Sequence, residues 1–126
     1  MKQGYLLESR EHMSKQIVAI EDFVKEFRAR DLESIRKHLD PEFIWTDPKG
    51  EIVVQSAENF LNLMEGLWKE NPKLENSSSA CIQVGNIVTH SESFAGYADG
   101  HTEDWVWVYE FKGNTILKMS GFQNTL

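Results

Sequence analysis

Residues 42–50 have the sequence Glu-Phe-Ile-Trp-Thr-Asp-Pro-Lys-Gly. Phe43 and Trp45 share one face of a two-residue period, which predicts a half-buried strand. Pro48 fixes its own φ and favours an extended conformation for Asp47, so the strand is predicted to end in a turn. Desolvation at the end of an aromatic strand raises the pKa of a carboxylate toward the range of a general base. Asp47 is therefore either a candidate base or the cap of an Asx turn, and both interpretations stay open.

Three amphipathic helices are predicted around this strand, each beginning at a residue suited to cap a helix. These caps are Ser14, Asp31 and Ser56. The first helix has apolar residues at three- and four-residue steps, and the third repeats the pattern. The second helix is predicted to stop at Asp40, and the third at Asn71, because a proline follows each of them.

The second half of the chain is predicted to consist of β-strands. Strands are expected over residues 74–84, 87–97, 103–111 and 115–122, with glycine-containing turns between them. The strongest alternation lies in residues 103–111, where Trp, Trp, Tyr and Phe occupy every second position. The order of elements predicts an α+β domain with helices on one face of a largely antiparallel sheet. We expect one domain over residues 14–126, preceded by an N-terminal arm or cloning-derived segment at residues 1–13.

Composition excludes several classes of function. The chain has 126 residues and a net charge of −7, and a negative surface disfavours a nucleic-acid partner. One cysteine, Cys81, permits neither an internal disulfide nor a cysteine-built zinc site. There is no apolar run of membrane-spanning length and no signal-peptide pattern, so we expect a cytoplasmic protein without a membrane partner. A nucleotide fingerprint, phosphate loop or nucleophile motif is also absent from the sequence, and no cofactor or metal is expected.

The chain resembles the NTF2-like superfamily, and within it the bacterial ketosteroid-isomerase-like and SnoaL-like branches. The resemblance rests on the order of three stretches: Phe-Arg-Ala-Arg-Asp-Leu-Glu-Ser-Ile at 27–35, Trp-Thr-Asp-Pro at 45–48, and the hairpin at 105–122. It implies a cystatin-like cone, in which a curved, mixed but mostly antiparallel sheet wraps around three helices of the N-terminal half. It also implies an apolar pocket at one end of the cone and a homodimer formed through the outer sheet face.

The resemblance implies roles for particular residues. Asp47 corresponds to the general base of ketosteroid isomerases, while Phe23 and Trp107 fall where that family has a Tyr and a protonated Asp as oxyanion donors. Phe23 cannot donate a hydrogen bond and Trp107 offers only an indole N–H, so steroid isomerisation is not expected. Strand alternation then places His90 and Glu92 on the inner face, as proton partners for Asp47. The expected ligand-binding wall consists of Phe23, Phe27, Trp45, Phe60, Met64, Phe94, Trp105, Trp107 and Tyr109.

The proposed catalytic residues on this strand also have purely structural interpretations. His90 is also consistent with a structural, hydrogen-bonded histidine, and a one-residue slip of register would turn Glu92 toward solvent. His101, Glu103 and Asp104 form a second polar group, but their spacing matches no strong metal motif. Two functions follow: an isomerase, hydratase or cyclase acting on a small apolar substrate with Asp47 as base, or a non-catalytic ligand-binding or dimerisation module. An open cavity containing Asp47 favours the first.

Overall fold

The computed structural model describes residues 14–124 and has three helices in its N-terminal half. The predicted arm at residues 1–13 lies outside the described residues. The helices are α1 (Lys15–Ala29), α2 (Leu32–Lys37) and α3 (Ala57–Glu70). All three predicted caps are confirmed: the side chains of Ser14, Asp31 and Ser56 accept hydrogen bonds from the backbone N–H groups of Ile17, Ser34 and Asn59. Each cap thereby satisfies one of the unpaired donors at a helix start.

Within residues 14–124, seven strands form one curved sheet that does not close. They are β1 (Leu39–Thr46), β2 (Ile52–Gln55), β3 (Glu75–Ser78), β4 (Ile82–Val84), β5 (Ile87–Ala95), β6 (Glu103–Lys112) and β7 (Thr115–Gln123). Their order is β2-β1-β7-β6-β5-β3, and β4 also pairs with β5. The β1–β7 pair is parallel and all others are antiparallel. The predicted α+β cone with a mixed, mostly antiparallel sheet is therefore confirmed.

Two strand predictions need correction. The segment 74–84 was expected to be one strand, but it forms β3 and β4 with a break after Ser78. Ser79 lies at that break, where its Oγ accepts from the Ser91 N–H at 2.9 Å. The strand expected over 87–97 ends at Ala95, because Gly96 has φ +92° and a Cβ there would lie 2.1 Å from the carbonyl oxygen of Lys73. Only glycine fits this close backbone approach.

The core lies between the inner face of the sheet and the helices. Aromatic rings fill much of this space in edge-to-face pairs, which are favoured over face-to-face sandwiches. Phe43 of β1 meets Phe60 of α3 at 5.3 Å, and Phe23 and Phe27 of α1 lie 5.0 Å apart. Within the described part of the chain, no helix is both long enough and apolar enough to cross a membrane.

Candidate active site

A cavity of about 300 Å³ lies between α1, α3 and the inner face of the sheet. Its wall is almost entirely apolar and contains two carboxylates, Glu92 and Glu103. The lining residues are Phe23, Val24, Phe27, Trp45, Phe60, Leu63, Met64, Leu67, Glu92, Phe94, Tyr97, Glu103, Trp105, Trp107, Tyr109 and Met119. A concave apolar space with few polar groups is the usual form of a small-molecule site.

All nine residues expected to form the ligand-binding wall line this cavity, together with Glu92. Their role in binding stays a prediction. Two-residue alternation accounts for the part formed by the sheet, since Trp105, Trp107 and Tyr109 of β6 all face the helices. Five lining residues were missed: Val24, Leu63, Leu67, Tyr97 and Met119. The helical period of α1 and α3 carried a signal for three of these, but the position of Tyr97 depends on a loop. Glu103, expected only as part of a second polar group with His101 and Asp104, also lines the cavity.

Glu92 is the most deeply placed carboxylate of the cavity, with 7% of its surface exposed. It stands opposite Trp105 in the β5–β6 register, which keeps its side chain on the inner face. Burial raises the pKa of Glu92 to about 7, against smaller lowering effects from Asn76, Arg28 and Trp107. The amide Nδ2 of Asn76 donates a hydrogen bond to Oε2 of Glu92. Both protonation states are therefore populated near neutral pH.

Trp107 has an unpaired indole N–H donor on the same cavity wall. Its indole Nε1 is buried and has no hydrogen-bond partner, while the residue as a whole is 6% exposed. The indole lies near the Glu92 carboxyl group and slightly lowers its pKa, but the two groups are not aligned as a hydrogen bond. A buried N–H without a partner is uncommon and costly, so a ligand oxygen would satisfy it.

His90 lies behind the cavity wall rather than in it. The residue is 4% exposed, and its Nε2 is 2.9 Å from the hydroxyl oxygen of Tyr109, which does line the cavity. The two rings also stack at 5.4 Å. Burial lowers the pKa of His90 to about 4, so the imidazole is neutral at neutral pH. This placement fits the structural alternative, in which His90 supports Tyr109.

Asp47 is not among the residues that line the cavity. Its Oδ1 accepts two backbone hydrogen bonds of 2.9 Å, from the N–H groups of Lys49 and Glu51. A third bond of 2.9 Å joins the Gly50 N–H to the Asp47 carbonyl. The structure therefore has the Asx turn that was the alternative interpretation, and it does not bring Asp47 together with His90 and Glu92.

A polar rim cluster consists of Tyr97, Glu103 and Trp105, which line the cavity, and of Asp99 and His101 beside them. Oε1 of Glu103 accepts from the Tyr97 hydroxyl and the Trp105 indole, each at 2.9 Å, and Oε2 lies 2.7 Å from His101 Nε2. The other imidazole nitrogen contacts Asp99. The pKa of His101 is raised because its ring N–H groups donate to the carboxylates of Glu103 and Asp99. No metal-binding group of three or more His, Cys, Asp or Glu occurs within residues 14–124.

A family model described as a SnoaL-like domain matches residues 20–119, most of the chain. The chain belongs to the SnoaL-like family. This membership, together with solved structures of NTF2-like proteins, confirms the NTF2-like resemblance. A comparison with curated protein sequences gives no significant match.

Several solved structures resemble this SnoaL-like domain over nearly their whole length. An uncharacterised cystatin-fold protein from Novosphingobium aromaticivorans has a TM-score of 0.78 and 18% identity, covering 87% of this chain and 98% of the other. TerC, co-crystallised with polyporic acid, has a TM-score of 0.76 and 19% identity, with 89% and 93% covered. An NTF2-like protein of unknown function from Burkholderia pseudomallei has a TM-score of 0.74 and 16% identity, with 90% and 93% covered. Identities this low show a shared fold alone.

Proposed function

We propose that this SnoaL-like domain binds a small, neutral, largely apolar molecule and that Glu92 transfers a proton to or from it. The observation that carries the proposal is a buried carboxyl group on the wall of an otherwise apolar aromatic cavity. An ionised ligand is disfavoured, because so apolar a wall offers little to replace its hydration. That a protein of this fold, TerC, has been crystallised with polyporic acid is consistent with a small-molecule role.

The arrangement suits proton abstraction from a carbon next to a carbonyl group. Glu92 in its anionic form would take the proton, and the unpaired indole N–H of Trp107 would donate to the oxygen on which negative charge develops. The two side chains are diagonal neighbours on the inner face, because Glu92 pairs with Trp105 and His90 with Trp107. Reactions of this type include isomerisation, elimination of water and cyclisation, in which protonated Glu92 returns the proton elsewhere.

Glu92, rather than Asp47, is the general base in this mechanism. Asp47 would need to leave its turn, and give up two backbone hydrogen bonds, to reach a ligand in the cavity. Glu92 already lies on the cavity wall, and its proton affinity suits an acid and a base alike near pH 7.

A non-catalytic binding module is the second candidate. Phe23 favours it, because this buried side chain stands where ketosteroid isomerases carry a donating Tyr and it offers no hydrogen bond to an enolate. Under this alternative, Glu92 and Trp107 would recognise a hydroxyl or carbonyl group without transferring a proton to carbon.

The enolisable bicyclic ketone 2-tetralone is a suitable probe, because it is neutral, flat and has acidic C–H bonds beside its carbonyl. We expect the protein to accelerate deuterium exchange at these carbons, measured by proton NMR in D₂O. Glu92→Gln should lose at least about 100-fold of this acceleration, the usual contribution of a positioned acid–base group. Binding, measured by quenching of tryptophan fluorescence, should persist because Gln has nearly the same shape.

Asp47→Asn is the matched control, since it removes the other candidate carboxylate at constant size. We expect it to retain both binding and exchange. Loss of exchange in Asp47→Asn with full exchange in Glu92→Gln would contradict the proposal and restore Asp47 as the base. Binding of the ketone without any acceleration of exchange in the unmodified protein would favour the non-catalytic module.

A further inference from the structure

Asn76 connects the edge of the sheet to the cavity carboxylate. It lies in β3, opposite Phe94 of β5, and is half-buried between the exposed residues Glu75 and Ser77. Its side chain points inward, where Nδ2 donates to Oε2 of Glu92. The contact joins two strands across sixteen positions of sequence, so it exists only in the folded register.

Arg28 of α1 holds this arrangement from the other side. Its guanidinium Nε donates to the backbone oxygen of Asn76 at 3.0 Å, and its positive charge lowers the pKa of Glu92. Arg30 makes the neighbouring connection, with 2.9 Å hydrogen bonds to the carbonyls of Pro72 and Leu74. The segment that carries Asn76 is therefore fixed to the helix that forms one wall of the cavity.

We infer that Asn76 is a positioning residue that holds Oε2 of Glu92 and reserves Oε1 for the proton exchanged with a cavity ligand. The inference rests on the proposed function. An amide N–H can only donate, so while it occupies Oε2 the added proton belongs on the other oxygen. The hydrogen bond from Asn76 goes to Oε2, which leaves Oε1 without a contact to Asn76. The carboxyl group is thereby oriented before a ligand arrives, which removes a reorganisation step from proton transfer.

The remaining neighbours of Glu92 do not replace this role. Trp107 and Tyr109 of β6 line the same cavity as Glu92, and the buried indole N–H of Trp107 has no hydrogen-bond partner. The pKa of the Tyr109 hydroxyl is raised well above its ordinary value by burial, so this group stays neutral. Arg28 is exposed and lowers the pKa of Glu92 through its charge, while its hydrogen bond goes to the backbone oxygen of Asn76 and not to the Glu92 carboxyl group. Asn76 is the neighbour that contacts a defined carboxylate oxygen.

The test is the titration of Glu92 in the ligand-free protein, followed by carbon-13 NMR of the side-chain carboxyl and assigned with Glu92→Gln. Asn76→Ala should raise the pKa of Glu92 by about one unit, because the anion loses a donor. Asn76→Asp should raise it further, since a second carboxylate opposes ionisation. Ser77→Ala, at the exposed neighbouring position of β3, should leave it unchanged.

This order of pKa values distinguishes a positioning role from a merely structural one. If Asn76 were only structural, its variants would be less stable but the pKa of Glu92 would not change. An unchanged pKa in Asn76→Ala would overturn the inference. Should that variant not fold, Asn76→Val serves instead, because the β-branched side chain suits a strand and still removes the donor to Oε2, so it should also raise the pKa of Glu92. An unchanged value there would overturn it equally. No substrate is used, so failure of the proton-transfer proposal would be seen separately, in the exchange experiment.

Discussion

Glu92 and His90 are buried on the same strand but respond to pH in opposite directions. The folded-state pKa of Glu92, about 7, lies above its ordinary value of 4.5. The stability associated with its buried neutral form is therefore fully present below about pH 4.5 and is lost as the pH rises through 7. The folded-state pKa of His90, about 4, lies below its ordinary 6.5. Its contribution is present above pH 6.5 and is lost as the pH falls through 4.

Replacing Glu92 by Gln isolates the first of these effects. The free energy of unfolding of the unmodified protein should fall as the pH rises from about 4.5 to 8, because Glu92 ionises, whereas the amide of Glu92→Gln never does. We therefore expect the stability of Glu92→Gln relative to the unmodified protein to be about 3 kcal/mol greater at pH 8 than at pH 4.5. Urea unfolding at both pH values measures this difference, and the contribution of His90 cancels because both proteins retain it. If the difference in unfolding free energy between the two proteins does not change with pH, Glu92 ionises in the folded protein as readily as in the unfolded chain.

At the scale of single elements, β7 has no side chain at the position that faces the tryptophans. Gly121 pairs with Trp107, and a Cβ there would lie 2.4 Å from Trp107 Cζ3 and 2.8 Å from Trp105 Cζ3. These two indoles stack at 4.7 Å and form part of the cavity wall. The absent side chain of Gly121 thus makes room for the stacked pair beside β7.

Gly121→Ala should displace this pair and destabilise the protein by about 1–3 kcal/mol, the usual effect of overpacking. Near-ultraviolet circular dichroism would report the changed stacking, and urea unfolding would give the free energy. Gly66→Ala in α3 is the control, since a Cβ there meets no atom within 4 Å. That change should stabilise the helix by up to about 1 kcal/mol. Unaltered dichroism and stability in Gly121→Ala would show that the indoles repack without cost.

The elements differ in how far their sequence predicts them. Strand β6 alternates strictly, so Trp105, Trp107 and Tyr109 could be assigned to one sheet face, and the resemblance to NTF2-like proteins implied that this face lines a cavity. The segment 74–84 alternates weakly through its serines, and its division into two strands depends on pairing with β5. The contact between Asn76 and Glu92 follows from that pairing and has no local signal. Asp47 shows the reverse case, because its Asp-Pro turn fits a catalytic loop and an Asx turn equally well.

For the molecule as a whole, the two sheet faces have different surroundings. The inner face meets helices and the cavity, whereas the outer face of the central strands carries exposed apolar side chains. Val106 of β6 and Phe122 of β7 are directly paired on this face, with 46% and 43% of their surfaces exposed. An apolar pair in the middle of an open sheet face is suited to contact a second copy of the chain.

We propose that two copies associate through this face, and expect a particle of twice the 14.6 kDa chain mass in sedimentation equilibrium. Val106→Lys should shift the protein to monomer, because association through this face would bury the lysine charge of each copy. Val53→Lys, at an exposed position of the edge strand β2, should leave the mass unchanged. A monomeric unmodified protein would exclude the interface. If Val106→Lys remains dimeric and Val53→Lys becomes monomeric, the contact lies at the sheet edge instead. Since the cavity lies between the helices and the inner face, and Val106 does not line it, Val106→Lys should retain ligand binding. Association and binding can therefore be measured independently.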